Sequence, residues 1–201
     1  MKNFKDSKTK ENLMRAFAGE SQARNRYSFA AEAAAAQENY VVEAVFKFTS
    51  DQECEHAKVF YNLLSELSGE NIEIDGAYPV DISNSLCDLL DAATHNENEE
   101  FECVYREFGE VAQQEGFMEV AAKFRQIGEI ERTHADRFAL LAELLREDKL
   151  FVSDVECEWM CLNCGNIVNL KAAPPVCPVC NHPRGYFIRI EFAPYTTRPQ
   201  Q

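Results

Sequence analysis

Two Glu-x-x-His pairs, Glu53–His56 and Glu131–His134, and two Cys-x-x-Cys pairs, Cys161–Cys164 and Cys177–Cys180, are the groups in this sequence whose types and spacing could do chemistry. Residues three apart on a helix project to neighbouring points of one face. A carboxylate so placed can bridge two metal ions while the imidazole caps one of them. Ligation rich in oxygen, with one or two nitrogens, suits iron or manganese better than zinc. Three further acids, Glu20, Glu97 and Glu100, stand where they could join the same site. The cysteine pairs form two knuckles, enough for a tetrahedral site of four thiolates. By themselves the knuckles leave zinc and iron open. Beside a carboxylate site for an iron pair they lean to iron.

Four helices must bring these groups together. From about residue 8 to 147 the chain is rich in alanine, leucine, glutamate and lysine, and proline occurs only in one loop. Spacings alternating four and three define four seams of the kind packed inside a bundle. They run through Leu13, Phe17, Glu20, Arg24 and Tyr27; Val42, Phe46, Thr49, Glu53, His56, Phe60 and Leu67; Leu86, Leu90, Ala93, Glu97, Glu100 and Val104; and Val120, Phe124, Ile127, Glu131, His134, Phe138 and Leu141. Each seam is apolar at its ends and ionisable in its middle. An unpaired buried carboxylate costs several kcal/mol or takes up a proton. Five glutamates facing one interior therefore need cations, and Arg24 is the only basic residue on a seam. Glu55, Glu99, Glu102 and Glu129 fall off the seams and read as solvated.

Glu100 exceeds a six-ligand set. It is either a partly exposed helix acid or a seventh ligand that exchanges with His56 as iron changes charge, since ferric iron prefers the anionic oxygen. Tyr27 and Tyr105 lie near the same level, as packing residues or as hydrogen-bond donors to the ligating carboxylates.

Short turns near Glu38-Asn39-Tyr40 and Glu115-Gly116 make two antiparallel helix pairs. The stretch from Gly69 to Ser83 is long enough to run the length of a bundle. One such crossover is the ferritin-like arrangement, in which two helices each give a glutamate and two give Glu-x-x-His. After residue 147 the composition shifts to proline, paired cysteines and a β-like run, Tyr186–Ile190. About fifty residues form too small a core to fold without a structural ion. Trp159 and Phe187 could shield it; Cys157 lies outside the knuckle rhythm. Expected, then, is a mainly α protein: a four-helix bundle over residues 1–147 and a small β-rich domain over 148–201.

A net charge of −14 opposes nucleic acid as a partner. No apolar signal core opens the chain and no run is long enough to span a bilayer, so a cytoplasmic protein is expected. The scattered Cys54, Cys87, Cys103 and Cys157 fit ordinary thiols rather than disulfides.

Glu20, Glu53-x-x-His56, Glu97-x-x-Glu100 and Glu131-x-x-His134, followed by Trp159-x-Cys161-x-x-Cys164-Gly165 and Cys177-Pro178-x-Cys180-x-His182-Pro183, resemble the rubrerythrin family over nearly the whole chain. The resemblance implies a rubredoxin-like C-terminal domain and a peroxidase that reduces hydrogen peroxide to water at a carboxylate-bridged iron pair. It implies electrons from reduced pyridine nucleotide, through a separate reductase or rubredoxin and then the four-cysteine iron. It also implies exchange of Glu100 and His56 as ligands, and a homodimer. Two features depart from or exceed the pattern: Asn181 follows the second knuckle where free rubredoxins commonly have glycine, and a tail runs from Glu191 to Gln201. A ferroxidase or iron store, and a non-enzymatic zinc-ribbon protein, are the rival readings.

Overall fold

The computed structural model describes residues 2–194; the end of the tail, from 195 onward, lies outside the described residues. Helix α1 (Lys8–Ala36) begins where the Ser7 side chain accepts from Lys10 N. It also begins against Glu115, whose carboxylate accepts from Lys8 N at 3.2 Å, Thr9 N at 2.9 Å and Lys2 Nζ at 2.8 Å. Helix α2 (Tyr40–Asn62) is capped by Asn39 and packs along α1. The crossover follows, and then α3 (Leu86–Glu99), capped by Ser85. Glu100–Val104 form a π-helical turn, α4 (Tyr105–Glu115) continues the same rod, and α5 (Met118–Arg146) returns against both.

This is the four-helix bundle with one long crossover, and three details differ from the periodic reading. First, α2 ends at Asn62, so Leu67 reaches the core from a 3-10 turn. Second, Arg24 is exposed and Ala23 holds the interior position: the buried face of α1 runs through Ala16, Glu20, Ala23, Tyr27, Ala30 and Ala34, so its steps of four and three fall in the opposite order to the seam drawn through Phe17 and Arg24. Third, the π turn inserts one residue into the third rod, as the bond from Tyr105 N to Glu100 O shows. Val104 is thereby only half-buried, and Tyr105, Gly109 and Ala112 take the buried face.

Two apolar layers fill the bundle. One is built on Phe46, Leu90 and Phe138, the other on Leu13, Phe60 and Phe124. The ionisable groups lie between them. Beyond α5 comes a sheet ordered β2-β1-β3, all antiparallel, from β1 (Val152–Cys161), β2 (Ile167–Ala172) and β3 (Phe187–Arg189). Trp159 and Phe187 are fully buried with Cys161 and Cys177 in its small core. The domain sits on the α1–α2 turn, where Tyr186 stacks on Tyr40 at 3.9 Å. Gly185 is needed there, since a Cβ would lie 1.8 Å from Glu38 O.

Candidate metal centres

Two groups of four ligand atoms meet in the middle of the bundle: Glu20, Glu53, His56 and Glu131 in one, Glu53, Glu97, Glu131 and His134 in the other. His56 Nδ1 lies 3.1 Å from Glu53 Oε2, 3.0 Å from Glu131 Oε1 and 3.8 Å from Glu20 Oε2. His134 Nδ1 lies 3.0 Å from Glu53 Oε1, 2.9 Å from Glu131 Oε2 and 3.4 Å from Glu97 Oε2. Glu53 and Glu131 thus turn one oxygen toward each group, as bridging carboxylates do. The oxygens of Glu20 and Glu97 that face away accept from the hydroxyls of Tyr105 and Tyr27.

The fit to cations is direct. Glu20 Oε2, Glu53 Oε1, Glu97 Oε2, both Glu131 oxygens and His134 Nδ1 are buried without a hydrogen-bonding partner, and all belong to these two groups. Buried polar atoms are normally satisfied, so six orphans converging on one place mark where cations belong.

The protonation pattern of the protein groups agrees. Burial, then the Glu131 charge, pushes Glu20 well above the usual carboxylate range. Burial and the Glu53 charge push Glu97 up to about 8. Burial works against ionised Glu53 too, but the close approach of His134, His56 and Glu20 overrules it and holds the group at about 2. Burial lowers His134, yet Glu131, Glu53 and Glu97 around it raise it to about 11. These groups share protons where a cation could replace them.

Glu100 lies outside both groups of ligand atoms. It is half-buried on the first residue of the π turn, and its carboxyl is held well above its usual range by burial and then by Glu97, Glu131 and Glu53. Periodicity could not reveal the residues that pin His134. Its Nε2 lies 3.1 Å from Gln52 Oε1, which with Thr49 Oγ1 accepts from Arg137. A donor bond at Nε2 leaves Nδ1 free to ligate. Glu55, Glu99, Glu102 and Glu129 are exposed.

Cys161, Cys164, Cys177 and Cys180 form a third group. The Cys161–Cys180 and Cys164–Cys177 sulfurs are 3.7 Å apart. A tetrahedron with metal–sulfur bonds of about 2.3 Å has edges of about 3.8 Å, so the site fits a single ion. The knuckles are alike: Gly165 N donates to Cys161 O and Asn181 N to Cys177 O, and both residues have positive φ, +76° and +61°. Asparagine tolerates that conformation better than most residues, so the missing glycine leaves the knuckle intact. The backbone N–H of His182 leads the contacts that bring the Cys180 thiol down to about 6. Cys157 is not in the group.

Comparison with known proteins bears on this pair of centres. The sequence profile described as Rubrerythrin matches residues 11–142, and that described as Rubrerythrin, rubredoxin-like domain matches 159–188. This chain belongs to the rubrerythrin family. It is similar to Rubrerythrin-1 of Clostridium acetobutylicum, with 46% identity over 93% of this chain and 96% of that one. It is similar to rubrerythrin of Nitratidesulfovibrio vulgaris, with 37% identity over 93% and 96%. A solved structure of mixed-valence nigerythrin matches with a TM-score of 0.61 at 26% identity, over 92% of this chain and 90% of that one. A bacterioferritin of Desulfovibrio desulfuricans shares the bundle fold, with a TM-score of 0.65 at 22% identity over 74% and 87%. Rubrerythrins combine a carboxylate-bridged iron pair with a four-cysteine iron, and the donor sets here fit both. No helix among the described residues is long and apolar enough to cross a membrane.

Proposed function

We propose that this chain is a non-haem diiron peroxidase that reduces hydrogen peroxide to water in defence against oxidative stress, in the cytoplasm. Its bundle (1–147) holds the iron pair through Glu20, Glu53, His56, Glu97, Glu131 and His134, with Glu100 as a seventh ligand that alternates with His56. Its C-terminal domain (148–201) holds one iron through Cys161, Cys164, Cys177 and Cys180. Electrons arrive from a rubredoxin or an NAD(P)H-dependent reductase, and the working form is a homodimer. The observation that carries this reading is the sharing of Glu53 and Glu131 between two ligand groups, in one chain with a four-thiol cluster.

When bound, the iron pair supplies two electrons and Lewis acidity. The protein's part is geometry, dryness and proton placement. Phe46 and Phe138 on one side, and Phe60 and Phe124 on the other, keep water from the carboxylates. Burial and the neighbouring carboxylate charge raise Tyr27 and Tyr105 well above the usual phenol range, so both hydroxyls stay protonated as donors to Glu97 and Glu20. Burial, then the charges of Glu97, Glu131 and Glu53, raises the Glu100 carboxyl well above its usual range at a cavity wall, where it can take up a proton next to the site. Exchange of His56 rather than His134 fits their surroundings: the His56 side chain is 10% exposed, while His134 is fully buried and bonded to Gln52.

A ferroxidase would share the bundle but has no use for a fused four-thiolate relay. Cys161→Ser separates the two. The variant should oxidise its iron pair once with hydrogen peroxide and then turn over poorly with a reductase; unchanged steady-state turnover excludes the relay.

A further inference from the structure

Beside Glu100 the bundle surface opens into a cavity of about 230 Å³. Glu100, Tyr105 and the buried Gly19 of α1 line it, together with Gly76 and Tyr78 of the crossover, which are exposed at the surface. Tyr105 bonds to Glu20, so a molecule in the cavity is one side chain from the carboxylates. A second cavity also touches Tyr105, but none of the seven proposed bundle ligands lines it.

The crossover is fastened across this opening on both sides of Tyr78. Arg15 meets Asp75 through Nη2 to Oδ1 at 2.6 Å and through Nε to the backbone oxygen at 3.1 Å. Asp81 Oδ2 accepts from Arg26 at 2.7 Å and from Asn96 at 2.8 Å. Between these ties the Tyr78 hydroxyl donates to Arg15 O at 3.2 Å. A Cβ at Gly76 would come within 3.1 Å of the Tyr78 ring, so this glycine lets the ring fold back over the rim.

Gly19 has a different meaning. It sits inside a 29-residue helix, where glycine is unfavourable. Its φ is not positive, and a Cβ there would make only an ordinary 3.8 Å contact with Tyr78. Neither backbone nor crowding demands glycine. What glycine preserves is the space under the ring, into which a longer side chain would grow.

We propose that this cavity is the substrate port of the carboxylate centre and that Gly19 and Tyr78 set its size, admitting hydrogen peroxide and turning away bulky organic hydroperoxides. The proposal deepens the peroxidase reading and rests on it for its substrate. The lining carries fixed polar groups, Asn96 and Arg26 among them, that suit a small molecule bearing O–H groups. An aryl-alkyl group would have to displace Tyr78 from between its two ties.

The test uses iron-loaded protein. Single-turnover oxidation of the reduced iron is followed with hydrogen peroxide and with cumene hydroperoxide, and azide binding to the oxidised iron is followed by absorbance as a readout independent of turnover. Far-UV circular dichroism and iron content establish that each variant is folded and loaded. Tyr78→Ala should raise the cumene hydroperoxide rate about tenfold or more relative to hydrogen peroxide, the scale on which apolar shape discriminates. Gly19→Leu should slow azide binding, with Gly19→Ala as the milder variant. An unchanged rate ratio in Tyr78→Ala, or azide binding at the parent rate in Gly19→Leu, overturns the port. If the parent protein reacts with neither hydroperoxide while Gly19→Leu still slows azide, the peroxidase reading fails and the port stands.

Discussion

Glu53 and Glu97 are both buried acids of the carboxylate centre, yet their removal should have unequal consequences. Glu53 gives one oxygen to each ligand group, whereas Glu97 belongs to one. Even changes to groups behind metal ligands cost about 10–100-fold in affinity, so losing a ligand itself should cost about 100-fold per ion, or about 2.7 kcal/mol. Glu53→Ala should therefore lose about 5 kcal/mol of linked stabilisation over two ions, and Glu97→Ala about half of that. At about 2–4 °C per kcal/mol for a chain of this size, melting of the iron-loaded protein should fall by about 11–22 °C in Glu53→Ala and about 5–11 °C in Glu97→Ala. The assay is anaerobic loading with ferrous iron, desalting, iron counting and a thermal melt. Glu53→Ala should lose both bundle irons while the cysteine iron, read by its visible bands, remains. Equal losses in the two variants, or full retention in Glu53→Ala, would refute the bridging geometry.

Three further expectations follow from other contacts. Glu115 is held at about 2: burial opposes its charge, but Lys2, Thr9 and the α1 backbone amides outweigh it. A folded value below the unfolded one stabilises above the unfolded value, near 4.5, and that contribution is lost as pH falls toward about 2. Glu115→Gln should cost about 1–2 kcal/mol in urea unfolding at pH 7 and nothing near pH 2. A constant difference across that window contradicts the capping role. Gly185→Ala drives a Cβ into Glu38 O and should cost about 1–3 kcal/mol or release the C-terminal domain from the α1–α2 turn. Faster hydrogen exchange at Tyr40 and Tyr186 checks this, and parent-like protection contradicts it. Glu97, at about 8, and His134, at about 11, carry protons at pH 7 that a cation must displace. Iron binding should therefore release protons and tighten as pH rises from 6 to 8, measured by calorimetry in buffers of different ionisation enthalpy; pH-independent binding refutes it.

Much of this architecture was legible because it rests on period and punctuation. Proline-poor apolar seams, the Glu38–Tyr40 and Glu115–Gly116 turns and the long crossover suffice for the bundle, since burial of a 3.6-period stripe leaves few alternatives. The buried ionisable residues stood out because nothing else explains acid on a core seam. Illegible were the places where the regular period breaks. The π turn at Glu100–Val104 shifts the buried face by one residue, so Tyr105 faces Glu20 while Val104 moves toward the surface. Arg24 followed the four-three rhythm on paper, but the helix turned it to solvent. Gln52 and Arg137 carry no motif, and their role behind His134 is set by how α2 meets α5. The Tyr78 strap depends on ion pairs between residues about sixty positions apart in sequence, which no local pattern announces.

The central claim, peroxide reduction at an iron pair fed by a four-cysteine iron, is most directly tested by anaerobic stopped-flow absorbance. The fully reduced, iron-loaded protein is mixed with a slight excess of hydrogen peroxide. Rapid oxidation of the iron pair, with the bleached four-cysteine iron regaining its visible bands, is the result expected. Slow or absent oxidation with peroxide, together with rapid oxidation by dioxygen, would contradict it and point to a ferroxidase or oxidase.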